Sequence, residues 1–309
     1  MLNLNFDYAS CVRNSEKISW RLDEVMPESS KLDFSRPFLP NELADSRSLS
    51  SLLTDDERRA LNQISGNAYL NLFSFVEEYI LATMAKHAQA EIFGDPHALR
   101  ALVRFVDEEL KHQALFDRFR RAFIRDFGYE CGVLETAVQV AGVIMSHSPA
   151  AVLIITLHIE LMTQQHYTEC VKDSKQVDPL FQSLLKHHWL EESQHARIDA
   201  LELAKLGRVL ASDDIDHACD EYLGILEAFD GLLAEQSKLD LDSFARVVGR
   251  TLSETEAKRI TQVQLAGYRK TFLWYGMTNP TFVEYIQQLS AAKAGVIAER
   301  ARQLVTHVA

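Results

Sequence analysis

Two Glu-x-x-His sequences occur in the chain, Glu109 to His112 in "ELKH" and Glu192 to His195 in "ESQH", and each follows another glutamate at the same distance. Glu77 lies 32 positions before Glu109 and Glu160 lies 32 before Glu192, so the pattern repeats at an offset of 83. A lone Glu-x-x-His is ordinarily an exposed helix pair. The repeat is what constrains the fold, because it asks for two similar helical hairpins carrying the same titratable groups.

Local signals supply those hairpins. Thr54 followed by Glu57 forms a capping box before a long apolar-periodic stretch that runs to about Gln89. Asp95-Pro96, Ser148-Pro149 and Asp178-Pro179 each set a capping side chain before a proline, the pairing favoured at helix starts. Helices are therefore expected at about 54–89, 96–126, 149–175 and 179–206, with an apolar helix at 130–146 and later ones near 213–236, 243–276 and 280–306. Residues 1–50, with Pro27, Pro37 and Pro40 and clusters such as "LDFSRPFLP", read as an irregular arm lying on a domain that spans 51–309. No strand pattern appears, so the expected class is all-α.

Height and facing converge on one centre. Taking Gly94 as the first turn and Asp178 as the second, a rise of about 1.5 Å per residue brings all six motif residues to nearly one level in antiparallel hairpins. Glu77 falls at the edge of the stripe Tyr69, Phe73, Val76, Ile80 and Met84, while Glu78 points away. In "HHWLEESQH" and the turn after it, His188, Glu192, His195 and Asp199 share an arc, Glu191 is marginal and His187 points elsewhere. Four inward glutamates would repel one another unless positive charge lay between them, and two divalent ions match their charge. One Glu from each of two helices plus Glu-x-x-His from each of the other two is the ligand set of ferritin-like di-iron or di-manganese bundles. The expected fold is such a four-helix bundle, with additional helices and the arm. His188 has no counterpart, since Phe105 stands 83 positions earlier, and it is a candidate seventh ligand. Asp199 is a candidate to orient a ligand histidine.

Other features narrow the function class. A net charge of -12 disfavours nucleic acid and anionic membranes as partners, and no apolar run reaches the length of a membrane span, so a cytoplasmic location is the expectation. Cys11, Cys131, Cys170 and Cys219 are too dispersed for a zinc knuckle and are expected as buried thiols. His87, His147, His158 and His166 are expected to be structural or surface residues. "RFRRAFIR" is either a basic docking patch or a solvated helix face. Tyr69, Phe73 and Met84 suggest a pocket wall, and Ala60 to Ala85 hold no lysine or arginine to clamp a substrate carboxylate. No Gly-x-Gly-x-x-Gly or flavin site is evident.

The strings "NAYLNLFSFVEEYI", "DEELKHQALF", "LHIELMTQQHY" and "HHWLEESQHARID" resemble the di-iron N-oxygenase family typified by p-aminobenzoate N-oxygenase, over about residues 50–280. A third ligand histidine four residues before the last ligand glutamate distinguishes that family, and His188 stands so before Glu192. "GMTNPTF" at 276–282 is similar to its C-terminal region. The resemblance implies Glu77, Glu109, His112, Glu160, His188, Glu192 and His195 as ligands of two iron ions, with manganese as the other metal the ligand set admits. It further implies O2 activation through a peroxo-bridged species, oxygen transfer to an amine nitrogen towards hydroxylamine, nitroso or nitro, and a homodimer. Electrons would come from a separate reductase or a small reductant. A related oxidase or desaturase, and a non-enzymatic iron-binding or ferroxidase protein, are the alternatives.

Overall fold

The computed structural model describes residues 2–306, and among these it contains helices and loops but no strand. The class is all-α. Two short helices, α1 (Tyr8–Ser15) and α2 (Leu22–Val25), lie in the arm. Then come α3 (Asp55–Ala90), α4 (Pro96–Phe127), α5 (Ala137–Ile144), α6 (Pro149–Gln165) and α7 (Pro179–Leu206). The C-terminal part adds α8 (Ser212–Val248), α9 (Glu254–Tyr268), α10 (Tyr275–Thr278), α11 (Pro280–Leu289) and α12 (Ala291–Thr306). No described helix is long and apolar enough to cross a membrane.

Each expected cap is built. Thr54 and Glu57 exchange hydrogen bonds in a capping box, and Asp95, Ser148 and Asp178 each accept a backbone N–H at the start of α4, α6 and α7. Helices α3 and α4 pair as one hairpin, α6 and α7 as another, and α4 packs across α7. The four dispersed cysteines are buried free thiols.

The C-terminal boundaries depart from expectation for an identifiable reason. Helix α8 continues well past 236 because its buried face turns polar there, through Gln236, Ser237, Asp240 and Ser243. Tyr268 and Gln264 of α9 donate to Asp240, as does Gln236, so the apolar stripe stops where a satisfied polar seam begins. The same seam shortens the helix expected at 130–146: Ser243 Oγ accepts from Gly132 N, and Gln236 bonds Leu134 N and Gly132 O, holding 131–136 out of the helix ahead of α5. The helix expected at 280–306 breaks at Ser290, whose backbone is extended.

Two π-helical turns, His166–Val171 after α6 and Arg269–Trp274 between α9 and α10, account for two of the structural histidines. His166 Nε2 donates to Thr271 O and accepts from Tyr69 Oη at Nδ1, while His158 Nε2 donates to Phe272 O and accepts from Tyr222 Oη. Burial drives both imidazoles down, His158 to about 4 and His166 to about 3, so they are neutral connectors. A Cβ at residue 276 would stand 2.2 Å from His158 Nε2, which is why glycine sits there.

The arm is no loose wrapper. Asn62 of α3 accepts from Phe38 N and Leu39 N and donates to Leu39 O, while Asp178 N donates to Pro37 O. Phe38 is fully buried, stacks on Phe181 at 5.3 Å and meets Phe119 and Phe123 edge-on, welding the arm to α4 and α7. The basic stretch serves the same end: Arg118 donates to Asp23 and to Met26 O, and Arg125 to Ser30 O. Truncating Phe38→Ala should destabilise the chain by about 3–5 kcal/mol, as for other buried aromatics, measurable as a lower midpoint in denaturant unfolding.

Candidate metal centre

Helices α3, α4, α6 and α7 deliver their acidic and histidine side chains to one dry interior point. Glu77, Glu109, His112, Glu160, His188, Glu192 and His195 are all buried, none more than 2% exposed. Glu78, by contrast, is half-buried, as its facing predicts. Two overlapping quartets have mutually close ligand atoms: Glu77, His112, His188 and Glu192, and Glu109, His112, Glu192 and His195. His112 and Glu192 belong to both. Glu192 Oε1 lies 2.7 Å from His188 Nε2 and 3.1 Å from His112 Nδ1, and its Oε2 lies 3.2 Å from His195 Nδ1. His195 Nδ1 is also 2.9 Å from Glu109 Oε1, and His188 Nε2 is 3.3 Å from Glu77 Oε1. Glu160 stands outside both quartets but beside Glu192, with which it interacts most strongly after its own desolvation.

Seven such groups out of water need positive charge, and the chain alone meets the need with protons. Burial, reinforced by Glu109, pushes Glu77 up to about 8, and burial with Glu192 pushes Glu160 well above the carboxylate range. Burial opposes charge on Glu192 as well, but His188 and His195 hold it well below that range. His112 and His195 are raised despite burial because carboxylates surround them. These protons stand where a cation's charge would be needed.

Apart from His195 Nδ1 and Glu192 Oε2, which meet at 3.2 Å, most of the atoms aimed inward are left unpaired. Both oxygens of Glu77 and of Glu109, Glu160 Oε2, His112 Nδ1 and His188 Nε2 are buried and make no hydrogen bond of good geometry, even where, as between His188 Nε2 and Glu192 Oε1, the atoms are close. An interior that orphans so many polar atoms at one point is suited to coordination, since each orphan otherwise forfeits its hydration. The residues therefore fit a two-metal carboxylate site.

Two residues decisive for the site were set aside in the sequence reading. Glu191, judged marginal, is buried, and its Oε2 is 2.9 Å from His112 Nε2. Glu108, not singled out at all, lies 3.0 Å from His195 Nε2. Each histidine thus turns Nδ1 to the centre and Nε2 to a carboxylate on the other hairpin's helix, the outer-shell arrangement that fixes a metal-ligating imidazole. Glu108 and Glu191 are themselves 83 positions apart, so the repeat held the signal: the motif is Glu-Glu-x-x-His. The arm completes one pair directly and covers the donor of the other, Lys111 of α4. Ser15 Oγ donates to Glu108, Lys111 Nζ donates to Glu191 and sits 4.1 Å over the Trp20 ring, and Trp20 lies parallel to His112 at 6.2 Å.

Asp199 is placed near His195, yet neither of its oxygens has a hydrogen-bond partner, so the orienting task expected of it falls to Glu108. His187 meets the edge of Trp20 and bonds Ser183 O, away from the centre. His188 is wedged edge-on among Phe73, Phe116 and His112, whereas Phe105, its repeat counterpart, lies flat on His195 at 3.7 Å. Tyr69, Phe73 and Met84, expected as a pocket wall, are closed core: Tyr69 packs on Phe73, His166 and Phe272.

Comparison with models of known families and with curated proteins yields no match to this chain. Metal titration should reach two ions per chain, and fewer than one iron or manganese bound would count against the centre. Glu108→Gln and Glu191→Gln should each weaken metal affinity about 10–100-fold with the helical circular dichroism signal retained.

Proposed function

We propose that this chain is a di-iron oxygenase that transfers an oxygen atom from O2 to the nitrogen of an amine, with Glu77, Glu109, His112, Glu160, His188, Glu192 and His195 as the metal-holding residues. The observation that carries the reading is the unpaired, fully buried set of glutamate and histidine atoms converging from four helices, backed by reciprocal carboxylates on two of the histidines. Two iron ions held there would bind and reduce O2. The resemblance to N-oxygenases supports an amine as acceptor, and His188 is the residue on which that narrower claim rests.

The chain's own part is electrostatic and mechanical. Four ligand carboxylates would balance the charge of two divalent ions, and His188 adds an imidazole donor that has no counterpart in the repeat. Glu191 and Glu108 hold the imidazoles of His112 and His195 in one tautomer, with Nε2–H donated outward and Nδ1 free to ligate. Trp20, Phe73, Phe105 and Phe116 pack around the imidazoles and keep bulk water out. Conversion of an amine to a hydroxylamine consumes O2, two electrons and two protons and releases one water. The electrons are assigned to an external reductase or small reductant.

The decisive measurement incubates the iron-loaded chain with reductant, O2 and a panel of aromatic and aliphatic amines, followed by mass spectrometry. An added oxygen atom derived from 18O2 on at least one amine is the expected result. Iron oxidation with every amine unchanged would favour a ferroxidase. His188→Ala should abolish amine oxygenation while keeping at least one metal ion, and an unchanged rate would remove His188 from the ligand set.

A further inference from the structure

A cavity of about 190 Å³ lies between α3, α5, α6 and α8. Val76 and Ile159 line it, and each directly precedes a candidate ligand, Glu77 and Glu160. The cavity thus runs along the flank of the centre, one helical step away from the ligand faces. Tyr79, two positions after Glu77, also lines the cavity, and its hydroxyl is buried. Gly224, Ala228 and Val143 are exposed at the rim, so the cavity opens to solvent.

The lining dictates what can enter. It contains no lysine, arginine, aspartate, glutamate, asparagine or glutamine, and beyond Tyr79 only His147, at the mouth, carries a polar side chain. A carboxylate or phosphate seated there would lose its hydration with no lysine or arginine to compensate, at a cost on the order of several kcal/mol. Apolar cavities of about 150 Å³, smaller than this one, stay dry and take up benzene.

We propose that this cavity is a binding site for a neutral, mainly apolar molecule of the size of an alkyl-substituted arylamine, and that it excludes carboxylate-bearing analogues. As the substrate site of an oxygenase this rests on the two-metal reading; as a binding site it stands without it. Arylamines suit both, being uncharged at neutral pH and carrying one small polar group that can face Tyr79.

The test compares 4-ethylaniline with 4-aminobenzoate by calorimetry on the full-length chain, without metal and again after anaerobic addition of ferrous iron. Saturable binding of 4-ethylaniline in both states is expected, with 4-aminobenzoate at least tenfold weaker. Ala228→Phe, which plugs the mouth from an exposed position, should weaken 4-ethylaniline at least tenfold while melting temperature and iron content stay unchanged. Val143→Trp, on the opposite rim, should do the same. Equal affinity for the two compounds, no binding of either, or unchanged affinity in both rim variants would overturn the proposal. Because affinity is read without metal, failure of the oxygenase reading would leave this result standing, and the converse holds as well.

Discussion

Two carboxylate–imidazole pairs crossing between α4 and α7, Glu191 to His112 and Glu108 to His195, are the interaction on which the rest of this interior depends. Either histidine alone, buried beside several glutamates, could rotate, bond a neighbouring carboxylate with either nitrogen and dissolve the centre into ordinary ion pairs. With Nε2 committed outward, Nδ1 has one direction left. The arrangement is costly in desolvation, because Glu108 and Glu191 add two more buried carboxyl groups to an already acidic site. Lys111 and Arg104 offset part of that cost from the partly exposed flank, and Ser15 contributes a neutral donor. Stability at this point comes from pairing across the hairpins, while the apolar shell around it supplies the low dielectric that makes the pairing strong.

Much of this was legible before any coordinates. Proline and capping residues mark the starts of α4, α6 and α7 because their effect is local, and those starts fall where expected, whereas the helix expected to run to 175 turns π-helical at His166 and ends at Val171. The offset of 83, combined with helical rise and facing, brings Glu77, Glu109, His112, His188, Glu192 and His195 together as the structure has them. What local patterns could not convey was direction between helices. Glu191 lies off the arc of its own helix and so looks peripheral on a wheel, yet α4 stands on that side and supplies His112. The C-terminal boundaries fail for a related reason: a buried face built from Gln236, Ser237, Asp240 and Ser243 has no apolar periodicity to detect, since its partners lie in other elements.

The internal repeat is also where the two halves diverge. Phe105 and His188 occupy corresponding positions, and each packs against the imidazole of an opposite-hairpin motif, Phe105 flat on His195 and His188 edge-on to His112. One half is filled with an apolar ring and the other with a donor. The glutamates and histidines of the duplicated motif are all kept, including the outward carboxylates, while Asp199 opposite Phe116 and Lys111 opposite Gln194 are further departures around it.

The arm's contacts carry a consequence for the order of folding. Ser15 reaches Glu108 across 93 residues and Tyr8 reaches Glu202 across 194, so nothing in residues 1–50 finds those partners until α4 and α7 have been made and paired. The arm's docking therefore waits on α4 and α7. Until the arm docks, the face of the interior that Trp20 covers beside His112 stands open to solvent. Closing that face falls to the part of the chain that, read alone, has the least pattern.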